Sequence, residues 1–116
     1  MQSEQLLKMV INALEDRKAQ EIKVLNVQKI SNITDYMVIA SGQSNRQVEA
    51  IASNVVEESK KHGLRPLGQE GFETGEWVLV DLGDVIVHVM QPDIRDFYQL
   101  EKLWGEMGKM PAANTH

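Results

Sequence analysis

Two apolar-rich runs, Trp77–Leu82 and Val85–Met90, stand only Gly83 and Asp84 apart, and the rest of the pattern is organised around them. In the first run Val78, Val80 and Leu82 alternate with Trp77, Leu79 and Asp81. Alternation at period two with many β-branched residues predicts two strands, and the glycine between them predicts a tight hairpin turn. Apolar residues on both faces predict that the hairpin lies inside a sheet with something packed on each side.

Elsewhere the period changes. Leu6, Leu7, Val10, Ile11 and Leu14 repeat at helical spacing, which predicts a helix from Ser3, as N-cap, to about Lys18. Ile22, Val24, Leu25 and Val27 predict a strand, and Tyr36–Ala40 a second, buried one. Ser44 and Gln47 form an S-x-x-Q capping box ahead of Val48, Ile51, Ala52, Val55 and Val56. Lys60, Lys61 and His62 suit the negative end of that helix, and Gly63 stops it. A short strand is predicted around Leu64–Gln69, edged by Pro66. Pro92 opens a final helix with the stripe Phe97, Leu100, Leu103, Trp104 and Met107. The order is α-β-β-α-β-β-β-α, which predicts an α/β fold: a five-stranded mixed sheet with helices packed on it. The domain is expected to span residues 1–107, with residues 108–116 a disordered tail.

A chain of 116 residues suffices for one core. The formal charge of −5 argues against a protein that holds nucleic acid by neutralising phosphates. Its distribution says more. Between Leu67 and Glu106 nine acids face two bases, Arg95 and Lys102, a net of −7 that leaves +2 on the remainder. The C-terminal half therefore suits a basic partner. The chain has no cysteine, which excludes disulfides and thiolate chemistry. It carries no apolar run of membrane-spanning length and no signal-like N-terminus, so a cytoplasmic protein is expected.

Little in the chain points to catalysis. His62, His88 and His116 lack ligand-type spacing, and His88, in mid-strand, reads as structural. Ser41-Gly42-Gln43-Ser44 ahead of a helix is a weak phosphate-binding turn with a single glycine and no lysine. A nucleotide-binding or nucleotidyltransferase enzyme would use that turn, but its Asp-x-Asp metal pair is missing. Asp81 and Asp84 straddle the hairpin turn instead. No metal or cofactor is expected. Trp77, which opens its strand beside Glu70, Glu73 and Glu76, fits an interface anchor better than a core residue.

Several clusters recur together in one known family. They are Thr34-Asp35-Tyr36, Ile39-Ala40-Ser41-Gly42, Ser44-x-Arg46-Gln47-Val48-x-Ala50-Ile51-Ala52 and Glu70-Gly71, followed by Trp77-Val78-Leu79-x-Asp81, Gly83-Asp84-Val85-Ile86-Val87-His88 and Arg95-x-x-Tyr98-x-Leu100-Glu101-x-Leu103-Trp104. In this order the chain resembles the ribosomal silencing factors (RsfS, iojap-like) from about Leu6 to Trp104. It departs from them at Asn26, where Asp is frequent, and at Leu82, where Tyr is common. The resemblance implies a nucleotidyltransferase-like fold without the catalytic acids. It implies no enzyme activity, and binding to the large ribosomal subunit through its ribosomal protein number fourteen. Joining with the small subunit would be blocked when nutrients are scarce, with little direct nucleic-acid contact. Matching motifs place the contact on Glu70, Trp77, Asp81, Asp84, His88, Arg95, Tyr98 and Glu101. The resemblance also implies that the free protein can pair as a homodimer through the same face.

Overall fold

The computed structural model describes the backbone of residues 1–109 and the side chains of residues 1–104. The elements are α1 (Ser3–Asp16), β1 (Gln20–Asn26), β2 (Tyr36–Ser41), α2 (Asn45–Lys61), β3 (Gly68–Glu70), β4 (Trp77–Asp81), β5 (Val85–Met90), α3 (Pro92–Tyr98) and α4 (Leu100–Lys109). The strands form one sheet in the order β1-β2-β5-β4-β3. β2 and β5 run parallel, and the other neighbours are antiparallel. This is the mixed α/β sheet that the pattern predicts, with the β4–β5 hairpin near its middle.

One face of the sheet is fully packed. Leu6, Met9, Val10, Ala13 and Leu14 of α1 and Val48, Ile51, Ala52, Val55 and Val56 of α2 close over Val38, Ala40, Val78, Val80, Val87 and Val89. Burying such side chains contributes about 1.5–3 kcal/mol each, so this layer supplies most of the stability. Asn54 of α2 donates from Nδ2 to the Ala13 carbonyl at 2.9 Å, joining the two helices by a buried hydrogen bond.

Element ends shift where local chemistry outweighs the periodic pattern. α1 stops at Asp16 because Lys18 takes a left-handed conformation (φ 60°), and the Ala19 amide turns back to the Leu14 carbonyl at 3.0 Å. Gln2, not Ser3, is the N-cap of α1, and its amide donates to Gln5 Oε1 at 3.3 Å. At α2 the Ser44 hydroxyl does accept from the Gln47 amide, at 3.1 Å. The Gln47 side chain, however, takes the amide of Gln43 at 2.6 Å and not that of Ser44. β3 is shorter and later than predicted, since Pro66 has no amide to give and pairing begins when Leu67 donates to the Asp81 carbonyl at 2.7 Å.

The predicted last helix is two helices. Gln99 adopts a left-handed conformation (φ 50°, ψ 49°) and ends α3 after seven residues. α4 then runs through Lys109, two residues past the expected domain end at 107, and the rest of the expected tail, residues 110–116, lies outside the described residues. No helix among the described residues is long and apolar enough to cross a membrane.

Two glycines test how tightly the loops are built. Gly71 has φ +94°, and a Cβ there would lie 2.0 Å from the Trp77 carbonyl oxygen, whereas Gly63 (φ +78°) faces open space. Gly63→Ala is expected to cost about 1 kcal/mol from backbone strain alone. Gly71→Ala should cost clearly more, roughly 2–3 kcal/mol, because a carbonyl must move as well. Urea denaturation of both variants checks the order, and an equal loss would contradict it.

Candidate functional site

The second face of the sheet is only half covered. On it the register aligns Lys23, Ile39, His88, Leu79 and Glu70 in one row across the five strands. A neighbouring row runs Leu25, Met37, Ile86, Asp81 and Gly68. Met37, Ile39 and Met90 are buried beneath Leu25, Trp77, Ile94, Leu100 and Trp104. Towards β4 and β3 that cover is lacking, and Leu79, Asp81 and Ile86 are half-buried while Glu70 is exposed. The expectation of packing on both sides of the hairpin therefore holds for one side and half of the other.

What holds the cover in place is Arg95. The residue is 8% exposed. Nη1 donates to the Ser41 hydroxyl at 2.7 Å, Nη2 to Glu101 Oε2 at 2.6 Å and Nε to the same oxygen at 3.0 Å. The guanidinium thus ties the end of β2 to both sides of the break at Gln99. A non-glycine residue in the left-handed region carries strain, and this charge-assisted network offsets it. The break turns Leu100 and Trp104 onto the sheet and leaves Phe97 outside, 80% exposed.

Beside the cover stands a stack of rings. Tyr98, 51% exposed, lies with its centroid 4.9 Å from Trp77 and 5.1 Å from Phe97. Trp77 in turn lies 5.8 Å from His88, and its Nε1–H donates to His88 Nδ1 at 3.0 Å. The series runs from a buried imidazole to a largely exposed phenyl ring. Next to it is a depression of about 230 Å³ lined by Glu70, Gly71, Trp77 and Leu79. Spaced aromatics beside half-buried aliphatics and a polar rim are the anatomy of a protein-binding surface.

Burial holds the His88 pKa down at about 4, from an ordinary 6.5. At neutral pH the ring is therefore uncharged, and Nδ1 is the acceptor that Trp77 requires.

The turn ahead of α2 has several of its groups occupied. Ser41 Oγ takes Arg95, the Gly42 amide donates to the Met90 carbonyl at 3.1 Å, and the Gln43 and Gln47 amides go to Gln47 Oε1 and Ser44 Oγ. Gly75 packs against Asn45 from above, and Gln91 binds both. Three of the amides that a phosphate could use, those of Gly42, Gln43 and Gln47, are turned to the chain itself. Among the described residues no group of three or more His, Asp or Glu side chains could hold a metal ion.

The whole chain, residues 1–116, matches the profile of a family described as "Ribosomal silencing factor during starvation". This chain belongs to the ribosomal silencing factor family. A ribosomal silencing factor of Chromobacterium violaceum is 46% identical over 112 residues, covering 97% of this chain and 90% of the relative. A crystal structure of a protein from the same organism superposes with a TM-score of 0.89, at 46% identity, over 97% of this chain and 92% of that one. A mouse protein named "Mitochondrial assembly of ribosomal large subunit protein 1" is 35% identical over 99 residues, 83% of this chain and 43% of the mouse protein.

Within this silencing-factor fold the eight residues singled out from the sequence divide into three groups. Trp77, Tyr98 and Glu70 border the open half of the face. Asp81 and Asp84 lie at the other end of the hairpin, about 13 Å along the strand from Trp77. There Asp81 Oδ1 accepts the Gly83 amide at 2.9 Å, and the Asp84 carbonyl accepts those of Asp35 and Tyr36. His88 and Arg95 are buried and, with Glu101, pair internally, which leaves only a small part of each at the surface. Trp77, expected to stand free of the core, belongs to the second apolar cluster. Phe97, expected in the core, is exposed, and with Leu79 and Ile86 it enlarges the surface. For Phe97 the sequence carried no separate signal, because Phe97, Leu100 and Trp104 keep helical spacing across the break.

Two outcomes follow from the buried polar groups. Arg95→Ala strands the Glu101 carboxylate and the Ser41 hydroxyl. Since the Glu101 side chain is 25% exposed, the loss should be about 2–3 kcal/mol, below the roughly 3–5 of a fully buried pair, by urea denaturation. For His88 the folded form resists protonation, so its contribution to stability is complete above pH 6.5 and is lost as the pH falls through about 4. The loss is on the order of 3 kcal/mol at 1.36 kcal/mol per pK unit. His88→Gln should flatten the stability profile across that window, and an unchanged slope would show that other groups set it.

Proposed function

We propose that this protein docks on the large ribosomal subunit through ribosomal protein number fourteen and stops the small subunit from joining. It acts as a steric block with no turnover, in the cytoplasm, under nutrient limitation. The observation that carries this reading is the run from half-buried Trp77 to exposed Tyr98 and Phe97 beside an uncovered half-sheet. Such rings bury much area at little entropic cost and supply most of the affinity of a protein interface. Family membership and the mouse relative's name, which concerns assembly of a ribosomal large subunit, support the choice of particle.

Charge supports a protein contact over an RNA contact. Glu70, Glu73, Glu76 and Asp96, all exposed, are set close in sequence to the rings. An acidic face is repelled by phosphate and attracted to a basic ribosomal protein, which raises the association rate.

Tyr98→Ala and Phe97→Ala are the clean tests, because neither ring is buried. Each should leave denaturation within about 1 kcal/mol of the parent. Tyr98→Ala should weaken capture of purified large subunits roughly thirtyfold, the equivalent of about 2 kcal/mol, in sucrose-gradient sedimentation. Unchanged co-migration of both variants with free large subunits would overturn the reading. Binding to joined ribosomes as tight as to free large subunits would overturn the blocking mechanism.

A further inference from the structure

His88 is the one imidazole within the sheet, and it is 6% exposed. Ile39 and Leu79 flank it on the neighbouring strands. Its Nδ1 is committed, because an indole N–H only donates and so the nitrogen facing it must be an acceptor. In a neutral ring the proton then sits on Nε2. Among the described residues no group pairs with Nε2, yet no buried side-chain nitrogen or oxygen lacks a partner. Nε2 therefore keeps some surface access, and the register sets His88 on the half-covered face between Ile39 and Leu79.

We infer that His88 is a fixed-tautomer donor for the docked protein, its Nε2–H offered to a backbone carbonyl or carboxylate oxygen of the partner. Trp77 does two things at once in this arrangement. It presents its ring to the surface, and through Nε1–H it dictates which nitrogen of His88 carries the proton. The two side chains are then a preset pair, and docking needs no tautomer change. A partner with an oxygen at that point completes the hydrogen bond. One with an apolar group there leaves a desolvated N–H unpaired, which is a strong source of discrimination. This inference rests on the proposed docking face and adds a polar contact to it between Ile39 and Leu79.

The substitution His88→Gln would retain the same two functions, an oxygen towards Trp77 and an N–H towards the partner, whereas His88→Leu retains neither. In the free protein at pH 7, long-range ¹H–¹⁵N spectra should show Nδ1 bare and Nε2 protonated, and the opposite tautomer or an imidazolium would overturn the inference. In sedimentation with purified large subunits, His88→Leu should bind about tenfold more weakly and His88→Gln within about threefold of the parent. Equal loss in both variants would show that only the ring's shape matters, and unchanged binding by His88→Leu would remove the donor. Should His88→Leu fail to fold, the tautomer and the His88→Gln affinity still decide. Tyr98→Ala in the same gradients separates the two levels. If it binds weakly while His88→Leu binds normally, the docking face stands and the donor falls; if the parent itself does not bind, both fall.

Discussion

A buried guanidinium must have its donors met, and the second face of this protein is arranged around that demand. Arg95 reaches Ser41 at the end of β2 and Glu101 at the start of α4, spanning 54 residues in sequence in the first case and the helix break in the second. Its pairing fixes the angle between α3 and α4. That angle decides which side chains face the sheet. Leu100 and Trp104 turn in over Met37 and Ile39, and Phe97 and Tyr98 turn out. Without the break, one straight helix would place Phe97 on the same stripe as Leu100 and Trp104.

The sheet supplies the other half of the design. α1 and α2 bury one face with aliphatic side chains almost alone, and that layer carries the stability. The opposite face is consequently free to be incomplete. Leu79 and Ile86 are left half-buried between Trp77 at one end of the hairpin and Asp81 at the other. An apolar strip bounded by acids and aromatics is costly to leave in water, and covering it with a protein returns that cost. Rigidity helps in the same way, since rings held by sheet register and by a buried ion pair lose little freedom on docking.

Residues that recur in a family motif need not share a task. Trp77, His88, Arg95 and Glu101 sit close together in the site, but they act at different depths. The rings of Trp77 and Tyr98 make the surface, His88 and Arg95 set their positions, and Glu101 neutralises Arg95. The imidazole is kept neutral by burial, so it serves as a hydrogen-bonding group and not as a charge.

Much of this protein was legible before folding. Period-two alternation located β4 and β5, helical spacing located α1 and α2, and Ser44 marked where α2 begins. Those are local signals, carried by neighbours within one or two turns of chain. The acidic bias of the C-terminal half was equally visible, as were the motifs shared with ribosomal silencing factors. What only the tertiary structure decided is everything that depends on distant partners. Glutamine is a good helix former, so nothing near Gln99 announces a left-handed residue; the compensating contact is Arg95 with Ser41, far away in sequence. Alternation tells which residues share a face and not how much of that face a later helix will cover, so the open strip at Leu79 and Ile86 was hidden. The inward turn of Arg95 and Glu101 was hidden for the same reason, whereas the mid-strand place of His88 already pointed to a structural role. A polar side chain reads as a surface residue until the fold provides the hydrogen-bond partner that allows its burial.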